Sequence, residues 1–133
     1  ELAMKLTSYS QSLRTILNIG SQYGIVAANP HLYDDPEKQS PIQYSVAKAA
    51  LSHLTKELAV RLVKDGIQVN CIAYGGVEGR VDESFKDRYS KLTPIGRMLF
   101  DDEITWPLDA LLSDGGMAMT GQTLNFDGGW SIW

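Results

Sequence analysis

Tyr44 and Lys48 stand four residues apart in the stretch YSVAK. On a helix that spacing puts a phenol and an ammonium on one face, with Cβ atoms about 5–6 Å apart. An ammonium beside a phenol favours the phenolate, and a tyrosine so placed can give or take a proton near neutral pH. Ser21, in NIGSQYG, offers a hydroxyl able to polarise a substrate oxygen. A Y-x-x-x-K match alone carries little weight, because short motifs arise by chance. Its weight comes from order: a serine after one strand, the tyrosine on the next helix, and a glycine-rich turn after the following strand.

Periodicity predicts the elements that must position these groups. Leu2, Leu6 and Leu13 lie on a rough helical period, so a helix is expected over 1–12. RTILNIG, 14–20, reads as a buried strand ending at a glycine. Residues 27–40, AANPHLYDDPEKQS, predict an irregular loop on the substrate side. Its acids and prolines suit a solvated insert better than a contact to a polar substrate. A long helix follows over 41–65, with Ser40 as N-cap, Pro41 at N1 and Gln43 at N3. Ala47, Ala50, Leu51, Leu54, Leu58 and Leu62 form its apolar stripe, and Gly66 stops it.

IQVNCIAY, 67–74, predicts a second buried strand, and GGVEGR a turn. A short helix is expected at 82–91. Another is expected at 101–114, opening with acids and carrying Pro107 as a kink or a late start. QTLNF, 122–126, is the last expected strand. This alternation implies an α/β fold: a three-layer, Rossmann-like parallel sheet with helices on both faces. No linker divides the chain, so residues 1–133 belong to a single domain. Ser21 then lies just past the C-terminal end of a parallel strand, where ligands bind in open sheets.

Composition narrows the functional classes. A formal charge of −4 argues against a nucleic-acid partner. With 44% hydrophobic and 21% charged residues the chain fits a globular protein. No apolar run approaches the roughly 18 residues of a membrane span, so no membrane partner is expected. The opening ELAMKL lacks a basic segment followed by an apolar one, so no signal peptide is expected and the expected compartment is the cytoplasm. Cys71 lies in an apolar stretch and reads as a buried, inert thiol. His31 and His53 share no ligand spacing with it, and no metal site is expected. Arg97 reads as a structural salt-bridge partner before an anion clamp, and Glu78 and Asp82 as solvated. Trp106, Trp130 and Trp133 suit a pocket or an interface, with the apolar GGWSIW end favouring subunit packing.

Taken together, NIGS, YSVAK, VNCIAYGG, PIGRM and TGQTLNFDGG, in that order, resemble the C-terminal half of a short-chain dehydrogenase/reductase. Among these, the likeness is to bacterial sugar-modifying members. The resemblance implies that Tyr44 is the acid/base and that Lys48 binds the nicotinamide ribose and favours the phenolate. Ser21 would hold the carbonyl or hydroxyl of a small-molecule substrate. A hydride would pass between C4 of the nicotinamide of NAD or NADP and a substrate carbon. One such substrate is a sugar derivative of flagellin glycan biosynthesis. Gly75, Gly76 and Val77 would replace the family's Pro-Gly turn, whose backbone touches the nicotinamide. Asp127, Gly128 and Gly129 resemble its last strand and subunit contacts. The helices at 1–12 and 41–65 resemble the pair that builds a homodimer or homotetramer.

Three departures stand beside that likeness. Tyr74 takes the place of a proline, and Gly79 that of a Thr or Ser which reaches the cofactor phosphate. Ser21 and Tyr44 are 23 residues apart, longer than is usual. The family's G-x-x-x-G-x-G turn and its catalytic asparagine would precede residue 1. The competing reading is a catalytically incomplete fragment that acts only as an oligomerisation or interaction module. Half of a doubly wound sheet exposes an edge strand and apolar faces, so such a chain is expected to oligomerise, swap or pair with its other half.

Overall fold

The computed structural model describes residues 13–79 and 81–133; the helix expected over 1–12 lies outside them. Strands β1 (Thr15–Ile19), β2 (Gln68–Tyr74) and β3 (Thr123–Phe126) form one parallel sheet in the order β1-β2-β3. Thr15 lies opposite Gln68 and Ile19 opposite Ile72. Cys71 lies opposite Thr123 and Tyr74 opposite Phe126. Residues 69–73 are all buried, as a strand covered on both faces requires.

The helices are α1 (Ile42–Leu62), α2 (Glu83–Leu92) and α3 (Thr105–Leu112). Leu58, Ala59 and Leu62 of α1 pack with Ile67 and Val69, and with Leu13 and Ile16. Side chains alternate along a strand, so Tyr74 and Phe126 point to the opposite face. There Trp106 of α3 stacks on Phe126 with ring centroids 6.0 Å apart. Tyr74 donates a hydrogen bond to the Ile104 carbonyl at 2.6 Å. Helix, sheet and helix form the three-layer, Rossmann-like α/β arrangement that the alternation predicts.

The start of α1 departs from expectation. Pro41 occupies the N-cap position at φ −60° and ψ 140°, and no side chain caps the helix. The Ser40 capping box is therefore not formed. The proline ring fixes φ but leaves ψ free, so Pro41 stays extended outside the helix while its carbonyl accepts the Tyr44 N–H at 2.9 Å. The apolar stripe is also split. Leu58 and Leu62 are buried, whereas Ala47, Ala50 and Leu54 are exposed. The first turns of α1 pack on the 3₁₀ turn Gln22–Gly24 rather than on the sheet, so their sheet-facing periodicity goes unused. Gly66 ends the helical segment at φ +73°, as a C′ glycine does.

The helix expected at 101–114 divides into a 3₁₀ turn, Asp101–Ile104, and α3, with Pro107 in the first turn of α3. A proline is tolerated there because that N–H has no helical partner. Arg97 fastens this segment through two hydrogen bonds to Glu103, at 2.7 and 2.8 Å. The Phe100 N–H also donates to Glu103 at 2.8 Å. Arg97 is thus a structural ion-pair residue, as read from the sequence. Glu78 and Asp82, by contrast, are not merely solvated. Glu78 pairs with Lys86 at 2.8 Å, and Asp82 caps α2 by accepting the Phe85 N–H at 2.7 Å. Cys71 is buried, and burial pushes its thiol pKa up, in line with an inert thiol.

The Arg97 guanidinium, helped by the Phe100 N–H, holds the Glu103 carboxyl down to about 2 from an ordinary 4.5. A folded-state value below the unfolded one gives stability that is complete above about pH 4.5 and is lost as pH falls toward 2. Glu103→Gln should therefore unfold with a shallower pH dependence than the native chain across that acid window. Thermal unfolding at a series of pH values measures this, and parallel curves for the two proteins would contradict it.

Candidate active site

Ser21, Tyr44, Gly75, Gly76 and Val77 line one cavity of about 280 Å³. It lies at the C-terminal ends of β1 and β2. Lys48 is not part of its wall. The Lys48 ammonium sits 5.6 Å from the centre of the Tyr44 ring and donates to the Ile19 carbonyl at 2.7 Å.

The turn after β1 is built from short-range bonds. The Gly20 N–H extends the ladder to the Ile72 carbonyl at 2.7 Å. Ser21 then caps the 3₁₀ turn, its Oγ accepting the Tyr23 N–H at 3.2 Å. Because the Oγ acts there as acceptor, its own hydrogen remains for a substrate oxygen. Gly24 closes the turn against α1. A Cβ on Gly24 would lie 2.8 Å from the Lys48 carbonyl carbon, so only glycine allows this approach.

A second device sets the rotation of α1 against β1. Asn18 Nδ2 donates to Thr55 Oγ1 at 2.9 Å, and Thr55 donates to the Leu51 carbonyl at 2.9 Å. Thr55 is fully buried. A slip or roll of the helix would leave these groups desolvated and unpaired, which costs more than the bond itself contributes. Tyr44 and Lys48 are carried on the same rigid helix.

The turn after β2 is clamped on both sides. The Gly75 N–H bonds the Phe126 carbonyl at 2.9 Å, the Leu99 N–H bonds the Gly76 carbonyl at 2.9 Å, and the Glu78 N–H bonds the Leu99 carbonyl at 2.7 Å. Below it, Tyr89 joins the two turns. Its Oη accepts the Gly76 N–H at 2.7 Å and donates to Gln22 Oε1 at 2.9 Å. Tyr89 is 2% exposed and stacks on Trp130 at 4.5 Å. Burial pushes the Tyr89 pKa up, which keeps the phenol neutral and able to donate.

Sequence reasoning singled out none of Gln22, Tyr23, Tyr33 and Tyr89, all of which line the cavity. The Phe85 and Tyr89 spacing on α2 was the one available signal, an i and i+4 aromatic pair. Tyr33 arrives from the loop 27–40, which is not a solvated insert. Two 3₁₀ turns, Pro30–Leu32 and Pro36–Lys38, shape it. Leu32 is fully buried, and its carbonyl accepts from Arg88 Nε at 2.8 Å. Asp34 pairs with the same arginine at 2.8 Å. Trp130 is likewise a core residue at 5% exposure, not a subunit contact, because it closes over Tyr89. Trp106 and Trp133 remain exposed.

A family model described as enoyl-(acyl carrier protein) reductase matches residues 11–131. The post-translational flagellin modification protein A of Campylobacter coli is 37% identical over 122 residues, which are 92% of this chain and 48% of that protein. Galactitol 2-dehydrogenase of Rhizobium johnstonii is 30% identical over 124 residues, 89% of this chain and 45% of that one. The crystal structure of a short-chain dehydrogenase from Leptospira borgpetersenii with bound NAD+ superimposes with a TM-score of 0.82 at 37% identity, covering 89% of this chain and 44% of that one. The chain belongs to the short-chain dehydrogenase/reductase family. It spans about half the length of the curated relatives it matches. Among the described residues, no helix is long and apolar enough to cross a membrane.

Tyr89→Phe keeps the ring stack but strands the Gly76 N–H and the Gln22 amide oxygen. The expected loss is about 1–3 kcal/mol, the cost of buried polar groups left unpaired. Urea unfolding measures it. A loss within the roughly 0.5 kcal/mol of an ordinary surface change would show that the phenol does not join the two turns.

Proposed function

We propose that this chain is the substrate-facing part of a nicotinamide-dependent oxidoreductase that moves a hydride between a carbonyl or hydroxyl substrate and its cofactor. One observation carries this reading: Ser21 and Tyr44 open into a single cavity whose further wall is the bare backbone of Gly75 and Gly76. The Lys48 ammonium stands beside the tyrosine ring.

The residues present fit the nicotinamide end of such a cofactor. Gly76 lines the cavity with bare backbone, and packing demands the glycine, because a Cβ there would lie 2.7 Å from the Tyr89 ring. Lys48 uses one ammonium hydrogen on the Ile19 carbonyl; its other two suit a ribose diol. NAD and NADP share this end, so the reading covers both. When bound, the nicotinamide supplies or accepts the hydride.

The chain's own groups manage the proton. In the reductive direction Tyr44 gives its phenolic proton to the substrate oxygen as that carbon gains a hydride. In the oxidative direction the phenolate takes the proton back from the hydroxyl. Ser21 Oγ donates to the same oxygen and holds it in place. The Lys48 charge offsets that of the phenolate.

The likeness to a flagellin modification protein and to a galactitol dehydrogenase supports a sugar-like substrate, with flagellin glycan biosynthesis as one such setting. The greater length of the relatives supports a whole protein with one Rossmann-type domain, its nucleotide-binding half preceding the part seen here. Exposed Ile42, Val46 and Val60 on α1 support a homodimer or homotetramer. The cytoplasm is the matching compartment for a nicotinamide-dependent enzyme of this kind.

Tyr44→Phe in the full-length protein should lower turnover by about 10²–10⁴, the usual contribution of a positioned acid/base. NADH binding, followed by fluorescence titration, should persist. Turnover close to the unmodified rate would overturn the assignment.

A further inference from the structure

We propose that Tyr23 and Tyr33 form a second oxygen-binding subsite in this cavity, so that the substrate is a polyol or hydroxyketone rather than a simple alcohol or ketone. The inference rests on the oxidoreductase reading of the same site and adds its substrate class.

The two phenolic oxygens stand 3.0 Å apart, and both residues line the cavity with Ser21 and Tyr44. One phenol donates to the other. The second keeps its hydrogen, and lone pairs remain on both. A donor and an acceptor are thus held side by side. A hydroxyl group is both donor and acceptor, and is the natural complement of such a pair. Burial and the bond to Tyr33 push the Tyr23 pKa up, so Tyr23 keeps its hydroxyl hydrogen at neutral pH.

Packing does not account for the hydroxyls. Tyr33 meets Phe85 edge to face at 5.9 Å, a contact that a phenylalanine would make equally well. The placement of Tyr33 is nevertheless tightly built, since buried Leu32 precedes it and Arg88 grips the loop on both sides of it. That loop is the extra length between Ser21 and Tyr44. Its effect is to bring a phenol to the wall facing the proton-transfer groups. Val81, Phe85 and Met98 complete that wall, an apolar surface suited to the C–H faces of a carbon chain or sugar ring.

The test uses the full-length protein with its nicotinamide cofactor and compares oxidation of galactitol with that of cyclohexanol. Tyr23→Phe and Tyr33→Phe should each raise KM for galactitol about tenfold, the worth of one hydrogen bond. The loss should fall on KM more than on kcat, and cyclohexanol, which has no second hydroxyl to lose a bond, should lose less than galactitol with either variant. An equal loss on both substrates would make the phenols structural and overturn the subsite, as would an unchanged KM for galactitol. Turnover of cyclohexanol without galactitol would overturn the subsite and leave the oxidoreductase reading standing. Turnover of neither would sink both.

Discussion

Parallel pairing brings the C-terminal ends of β1, β2 and β3 to one edge of the sheet, and each candidate group is placed by that edge. Ser21 lies two residues beyond Ile19, and Gly75 one beyond Tyr74. The register that sets Ile19 opposite Ile72 lets the Gly20 N–H add one more ladder bond before the chain turns. A slip of one residue would exchange the two faces of β1. Asn18 would then leave Thr55, and the helix carrying Tyr44 and Lys48 would lose its anchor. The candidate groups come from three distant parts of the chain to line one cavity, and the sheet is what makes them neighbours.

Helix α2 supports that arrangement from below. Its start is set by the Asp82 cap, and its two faces do different work. Tyr89 points inward and ties the two turns together, while Arg88 holds the loop that carries Tyr33. The ion pair of Lys91 and Asp87 lies on the same helix, with both side chains mostly in water. Exposed pairs of that kind contribute about 0–1 kcal/mol. The buried phenol, with two partners and a stacked indole, outweighs it.

Much of the frame was legible because local rules and tertiary structure agree. IQVNCIAY is an unbroken β-rich run closed by glycines, and it is the buried central strand. Gly66 stops α1 at the one backbone conformation that favours glycine. Ser21, Tyr44, Gly75, Gly76 and Val77 were legible as a set because their order along the chain matches the order of the elements. What was not legible depends on partners distant in sequence. Tyr89 meets Gln22 across 67 residues, and no local pattern announces that. Pro41 could end the turn or begin the helix, and only its ψ decides. Ala47, Ala50 and Leu54 share a period with Leu58, but periodicity cannot say which stretch of a helix has a sheet beneath it. Trp130 looked like interface because it lies near a chain end; a turn at Gly128 and Gly129, both with positive φ, folds it back into the core.

The loop 27–40 joins the body through a short set of anchors: the buried Leu32 and the Arg88 grip on either side of Tyr33. Ser21 and Tyr44 hang from β1 and α1, whose contacts with each other run through Asn18, Thr55 and Gly24 and do not pass through the loop. The wall supplied by residues 27–40 and the Ser21 and Tyr44 side of the cavity are therefore anchored independently. A lineage, or a designer, can recut that wall by exchanging residues 27–40 and leave the Ser21 and Tyr44 side as it is.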